Sequence, residues 1–138
     1  MDLTAADLER IPARNVRVPV VEFARVWLAA ERQVEADPQS WATYGVVATC
    51  RWLAGATVPS IAGGRELASA PVTRRSGSAY EELIAAECLA AEKMLFRRPV
   101  PPRVLSQPGW LEAVVATLAW AWRRTGPAPI TVPETTHG

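Results

Sequence analysis

Three ionisable side chains in this sequence stand where a charge has few places to go. Arg51 is the only formal charge between Pro38 and Gly55, and Glu112 is the only anion in the apolar run that precedes Arg123. Glu87, like Glu112, borders an apolar stripe. The chemistry open to them is an ion pair, Arg51 with Glu112, partly buried where two apolar helices meet. Glu22 and Glu87 are the other carboxylates within reach of Arg51, and its flexible stem also allows escape to solvent. A pair at that depth fixes helix register more often than it moves protons, and losing one partner costs about 3–5 kcal/mol.

Other catalytic constellations lack their parts. The one histidine, His137, is next to the last residue of the sequence, so Ser-His-Asp and Cys-His arrangements have no base. Glu-x-x-His pairs and zinc spacings are missing as well. Cys50 and Cys88 form no metal or redox motif and read as small buried thiols in a reducing compartment. Gly63-Gly64 is followed by Arg65 and lacks the Lys-Ser/Thr of a phosphate loop. Glu81 and Glu82 start a helix, where the dipole accounts for them. No enzyme, metal or cofactor is expected from these residues.

Binding groups are more plentiful. Arginine dominates the cations, with fourteen arginines to one lysine, and the net charge is only +1. The clusters are Arg74-Arg75, Arg97-Arg98 with Arg103, and Arg123-Arg124. Helix ends account for Arg97-Arg98 and Arg123-Arg124, but Arg97, Arg98 and Arg103 join Arg74 and Arg75 in a phosphate-binding or acidic-partner patch if their two segments meet. No basic stripe or helix-turn-helix pattern supports DNA reading. Six tryptophans are many for 138 residues. Trp27 lies on a helix stripe; of the other five, Trp52 and Trp122 are the candidates to face a partner.

These groups must be carried by helices. Residues 37–55 are apolar on nearly every side, with Asp37 as cap, Pro38 in the first turn and Gly55 as the stop. Residues 110–122 are apolar except for Glu112, and at 13 residues they fall short of the ~20 needed to cross a bilayer. The two stretches echo each other. A shift of 68 lays Val46, Val47, Ala48 and Thr49 on Val114, Val115, Ala116 and Thr117, then Trp52 on Trp120, Thr57 on Thr125 and Pro59 on Pro127. Seven identities in 21 positions point to an internal repeat.

Around these two rods the sequence predicts flanking elements. Thr4 and Asp7 suggest a capping box for a short helix to Arg10, and residues 13–18 read as extended. Pro19 opens a helix to Ala36 with Val20, Phe23, Trp27, Ala30 and Val34 on one stripe. Residues 56–77 hold three glycines and two prolines and read as a long loop, of a length that is often functional. Ser76 or Ser78 caps a helix to Arg97, prolines extend residues 99–105, and Ser106 with Pro108 starts the last helix. The predicted fold is all-α: a four-helix bundle of two duplicated αα-hairpins, residues 19–55 and 78–125, after a short N-terminal helix. Residues 1–126 form one domain, and residues 127–138 a flexible tail.

The functional expectation is a cytoplasmic, non-enzymatic interaction protein, an accessory, adaptor or regulatory subunit. It holds another protein or its own copy through an apolar helical face and the 56–77 loop, and no membrane is involved. A nucleic-acid-associated regulator using the arginine clusters is the alternative. A third is an enzyme or small-molecule binder with a pocket between the hairpins, lined by Arg51, Glu87, Glu112 and Tyr80.

Overall fold

A computed structural model describes residues 5–132. Thr4 of the expected capping box, His137 and the last part of the expected tail lie outside the described residues. The chain is mostly helical: α1 (Ala5–Arg10), a 3-10 turn (Ala13–Asn15), α2 (Val20–Ala36), α3 (Trp41–Ala54), α4 (Glu81–Leu95), α5 (Pro102–Ser106) and α6 (Trp110–Ala121). A small antiparallel sheet of β1 (Thr57–Pro59) and β2 (Arg65–Leu67) lies between α3 and α4.

The two apolar rods meet in the middle. The α3–α6 contact is the most extensive in the molecule; α2 packs on α3 and α4 on α6. Their closeness depends on small residues. A Cβ on Gly45 would come 2.6 Å from the carbonyl oxygen of Trp110, and Gly109 faces Ala42. Thr49 and Thr117, fully buried here, donate back to the carbonyls of Gly45 (2.8 Å) and Ala113 (2.7 Å). Neither hydroxyl is therefore left unpaired in the core. Phe23 stacks on Trp120 at 6.2 Å, and Val47, Leu53, Ile84, Leu111 and Val114 are completely buried.

Several helix ends differ from expectation. Ser40, not Asp37, caps α3 by accepting from the Thr43 amide at 3.2 Å; the Asp37 carboxylate instead accepts from the Gln39 amide and shapes the turn before it. Gly55 closes α3 at φ +68° as expected. Residues 80 and 81 start α4 with no side-chain cap, so neither Ser76 nor Ser78 has that role. In the linker, Pro102 begins the one-turn helix α5 rather than an extended run, and Gly109 at φ +86° starts α6. Ser106 is spent inside α5, donating to the Arg103 carbonyl.

The expectation of a purely helical chain also gives way at residues 56–67, which form a β-hairpin arm. Strand pairing puts Thr57 opposite Leu67 and Pro59 opposite Arg65. Ser60 and Gly64 close the turn through a 3.0 Å bond, helped by positive φ at Gly63 and Gly64. Arg65 clamps the base, donating to the hydroxyl (2.9 Å) and the carbonyl (2.7 Å) of Thr57. Ile61 at the tip is wholly exposed. At the other end, residues 127–132 run against the helices with Ile130 buried, so that part of the expected loose tail is packed.

Candidate binding site

Arg51 has found a partner, and it is Glu31 on α2. Its Nε and Nη2 donate to the two Glu31 oxygens at 2.8 and 2.7 Å, and the Trp27 indole N–H donates to the same carboxylate at 3.0 Å. Glu112 is exposed on α6 and takes no part. The reason is rotational: Arg51 lies on the side of α3 that packs on α2, where Glu31 follows Trp27 by one turn. These bonds hold the Arg51 guanidinium above its already high ordinary pKa, against the opposing effect of burial.

Arg51 lies under the β-hairpin, and Val58 of β1 borders a depression on either side of it. One, of about 410 Å³, is lined by Arg10, Trp27, Glu31 and Arg65. The other, of about 480 Å³, brings together Trp41, Tyr44, Arg74, Arg103, Gln107 and Trp110. Trp41 and Tyr44, one turn apart at the start of α3, meet edge to face at 5.9 Å and remain 38% and 43% exposed.

A buried carboxylate anchors the loop that borders this second cleft. Glu87 on α4, 1% exposed, accepts from the Val72 amide (2.5 Å), the Thr73 amide (3.1 Å) and the Thr73 hydroxyl (2.7 Å). It therefore pins residues 72 and 73 to the helix. The loop then offers its carbonyls to Arg103, whose Nη1 and Nη2 donate to Val72 (3.2 Å) and Pro71 (2.6 Å). The same guanidinium lies 3.9 Å over the Trp110 ring, and its Nε is buried with no acceptor among the described residues. An unmet buried donor costs about 1–3 kcal/mol. Burial, and next the charge of Arg74, lower the Arg103 pKa.

The remaining candidates scatter. Trp52 is 2% exposed and belongs to the core, so it presents no face to a partner. Trp122 is half-buried, with the Arg17 guanidinium 4.2 Å over its ring. Arg75 is exposed beside Arg74. The loop and the proline linker do meet, through Arg103; Arg97 and Arg98 are exposed at the end of α4, where Arg98 donates to the Leu95 and Arg97 carbonyls. Arg51 lines both clefts, and Glu87, Glu112 and Tyr80 line neither. Cys50 and Cys88 are buried free thiols, and burial raises the pKa of both. Among the described residues there is no group of three metal-ligating side chains, and no helix is long and apolar enough to cross a membrane.

Sequence reasoning weighed Glu112, Glu22 and Glu87 for Arg51 and not Glu31, and singled out Trp52 and Trp122 rather than Trp41 and Tyr44 as partner-facing aromatics. The signal for the first was the Trp27–Glu31 spacing of four, which stacks a donor and an acceptor on one helix face. For the second it was position: first-turn residues of a helix sit at the edge of the core. No protein-family model matches this chain, and neither a curated protein nor a solved structure shows significant similarity to it.

Proposed function

We propose that this protein is a non-enzymatic interaction module whose binding face is the side that carries the β-hairpin. The observation that supports this most is the exposed Trp41–Tyr44 pair beside Arg74 and Arg103, with no carboxylate in the lining of their cleft. Exposed aromatics next to cations, with no acid in the cleft lining, suit a protein partner that offers an apolar anchor and an acidic segment. The arm adds Ile61, a large apolar side chain in full contact with water. In this reading Trp41, Tyr44 and Ile61 replace Trp52 as the anchors, and Arg74 and Arg75 supply the rim charge.

We also read the two helical hairpins as products of duplication, because Thr49 and Thr117 are 68 residues apart and make the same bond to the residue four before them. A cytoplasmic setting is in keeping with two free thiols.

The test is comparative capture from the native host with the intact protein, its Trp41→Ala/Tyr44→Ala double variant and Ile61→Asp. A protein retained by the first and lost from the variants is the expected result. Equal capture by all three overturns the reading. Recovery that disappears with nuclease, and falls steeply with salt, would favour nucleic acid instead.

A further inference from the structure

The cleft behind the aromatic pair has a charge pattern that a protein-binding rim does not require. Three arginines line it and no acid does. Arg51 is neutralised by Glu31, which leaves Arg74 and Arg103 facing the same space with no acid in its lining; the buried Glu87 carboxylate, bonded to the loop, acts on Arg103 from outside the cleft. The Arg103 side chain and the Arg74 backbone are each held in place. Arg103 is fixed by two carbonyls and the face of Trp110. Arg74 sits at φ +64°, a conformation arginine rarely adopts, locked by the bond from its amide to the Ala70 carbonyl (3.1 Å) and the return bond from the Ala70 amide to the Arg75 carbonyl (3.0 Å). Strained backbone of this kind collects at ligand clamps. The cleft volume falls in the range of small-molecule sites, and its lining includes Trp41, Tyr44 and Trp110.

We propose that this cleft is an anion site that takes a planar ring bearing a phosphate or carboxylate group, with the anion between Arg74 and Arg103 and the ring against Trp41 and Tyr44. The paired cations favour a charge-assisted, forked contact. The chemistry is shared by a nucleotide phosphate and an aromatic carboxylate. The inference rests on the hairpin side being the binding face, but not on the bound molecule being a protein.

Calorimetric titration of the full chain with adenosine monophosphate, benzoate, inorganic phosphate and adenosine tests it. Binding of the monophosphate or of benzoate is expected, tighter than inorganic phosphate and with adenosine silent; which of the two ring anions binds identifies the source of the charge. Arg74→Gly, which relaxes the backbone while removing the cation, should weaken binding about tenfold or more. Arg74→Asn, whose side chain tolerates the same backbone, should do the same and covers the chance that glycine loosens the loop. No binding of either ring anion, equal binding of adenosine, or affinities untouched by both variants overturns the site. Ile61→Asp lies outside the cleft and should leave the titration unchanged. Binding of a ring anion with equal capture by the intact protein and its variants therefore sinks only the partner reading, and silent titration with capture lost from the variants sinks only the anion site.

Discussion

Glu31 stands one turn after Trp27, and both side chains converge on Arg51 across the α2–α3 interface. The Arg51 side chain keeps a third of its surface in water and that of Glu31 keeps 11%, so the pair falls between the exposed and the buried regimes. Arg51→Ala should cost about 1–3 kcal/mol in a urea unfolding experiment, because Glu31 would keep only the indole donor. Glu112→Ala, by contrast, should be nearly neutral, since Glu112 is exposed and outside the pair. The thiols make a second residue-scale prediction. Burial raises the pKa of Cys50 and Cys88, so neither should react with iodoacetamide at pH 8 while the protein is folded. The sign follows: stability from keeping these thiols neutral is complete below the ordinary thiol pKa and is lost as pH rises from there toward the folded value. A denaturation midpoint that rose between pH 8 and 10 would contradict this.

At the scale of elements, the molecule depends on one close approach and one latch. Gly45→Ala would place a methyl carbon 2.6 Å from the backbone oxygen of Trp110, so α3 and α6 must separate; the expected loss is about 1–3 kcal/mol, read from the shift in Tm. Glu87→Gln keeps the shape but removes the charge that two amides and a hydroxyl share, and should cost about 1.5–3 kcal/mol. Its particular signature is faster hydrogen exchange at residues 72 and 73, whose amides Glu87 holds. The helices themselves were legible because a long apolar period survives noise: α2 runs to Ala36 as its stripe predicts, and α3 stops at Gly55. Their caps were not, since Asp37, Ser40, Ser76, Ser78 and Ser106 are all good cap types and only the fold decides which amide each one reaches. The hairpin was hidden for a different reason. Strands of three residues, one ending in proline, show no alternation to read, and the arm is held by Arg65 on Thr57 rather than by a buried face.

For the whole molecule, the arrangement separates support from contact. The α3–α6 pair with α2 and α4 on its flanks buries most of the large apolar side chains, including Trp52, Trp110 and Trp120. Of the side chains that stay in water on the hairpin side, Trp41 and Tyr44 stand in the first turn of α3 and Ile61 at the tip of the arm. The cleft could not be seen in the sequence because its residues come from four segments, α3, the β1 strand, the 68–74 loop and the α5–α6 region, and only folding joins them. The sequence offered Arg74 and Arg75 with Arg97, Arg98 and Arg103 as a patch if their segments met; Arg103 does meet the loop at Pro71 and Val72. The face that results has aromatic surface, an apolar arm and net positive charge together, which is the basis for assigning it to binding.

Hydrogen exchange of the protein alone and with its captured partner tests that assignment most directly. Slowed exchange is predicted for the amides around Trp41 and Tyr44 and for residues 57–67 of the arm, with α4 and residues 127–132 unchanged. Protection confined to α4 or to residues 127–132, with the hairpin side exchanging as in the free protein, would contradict it.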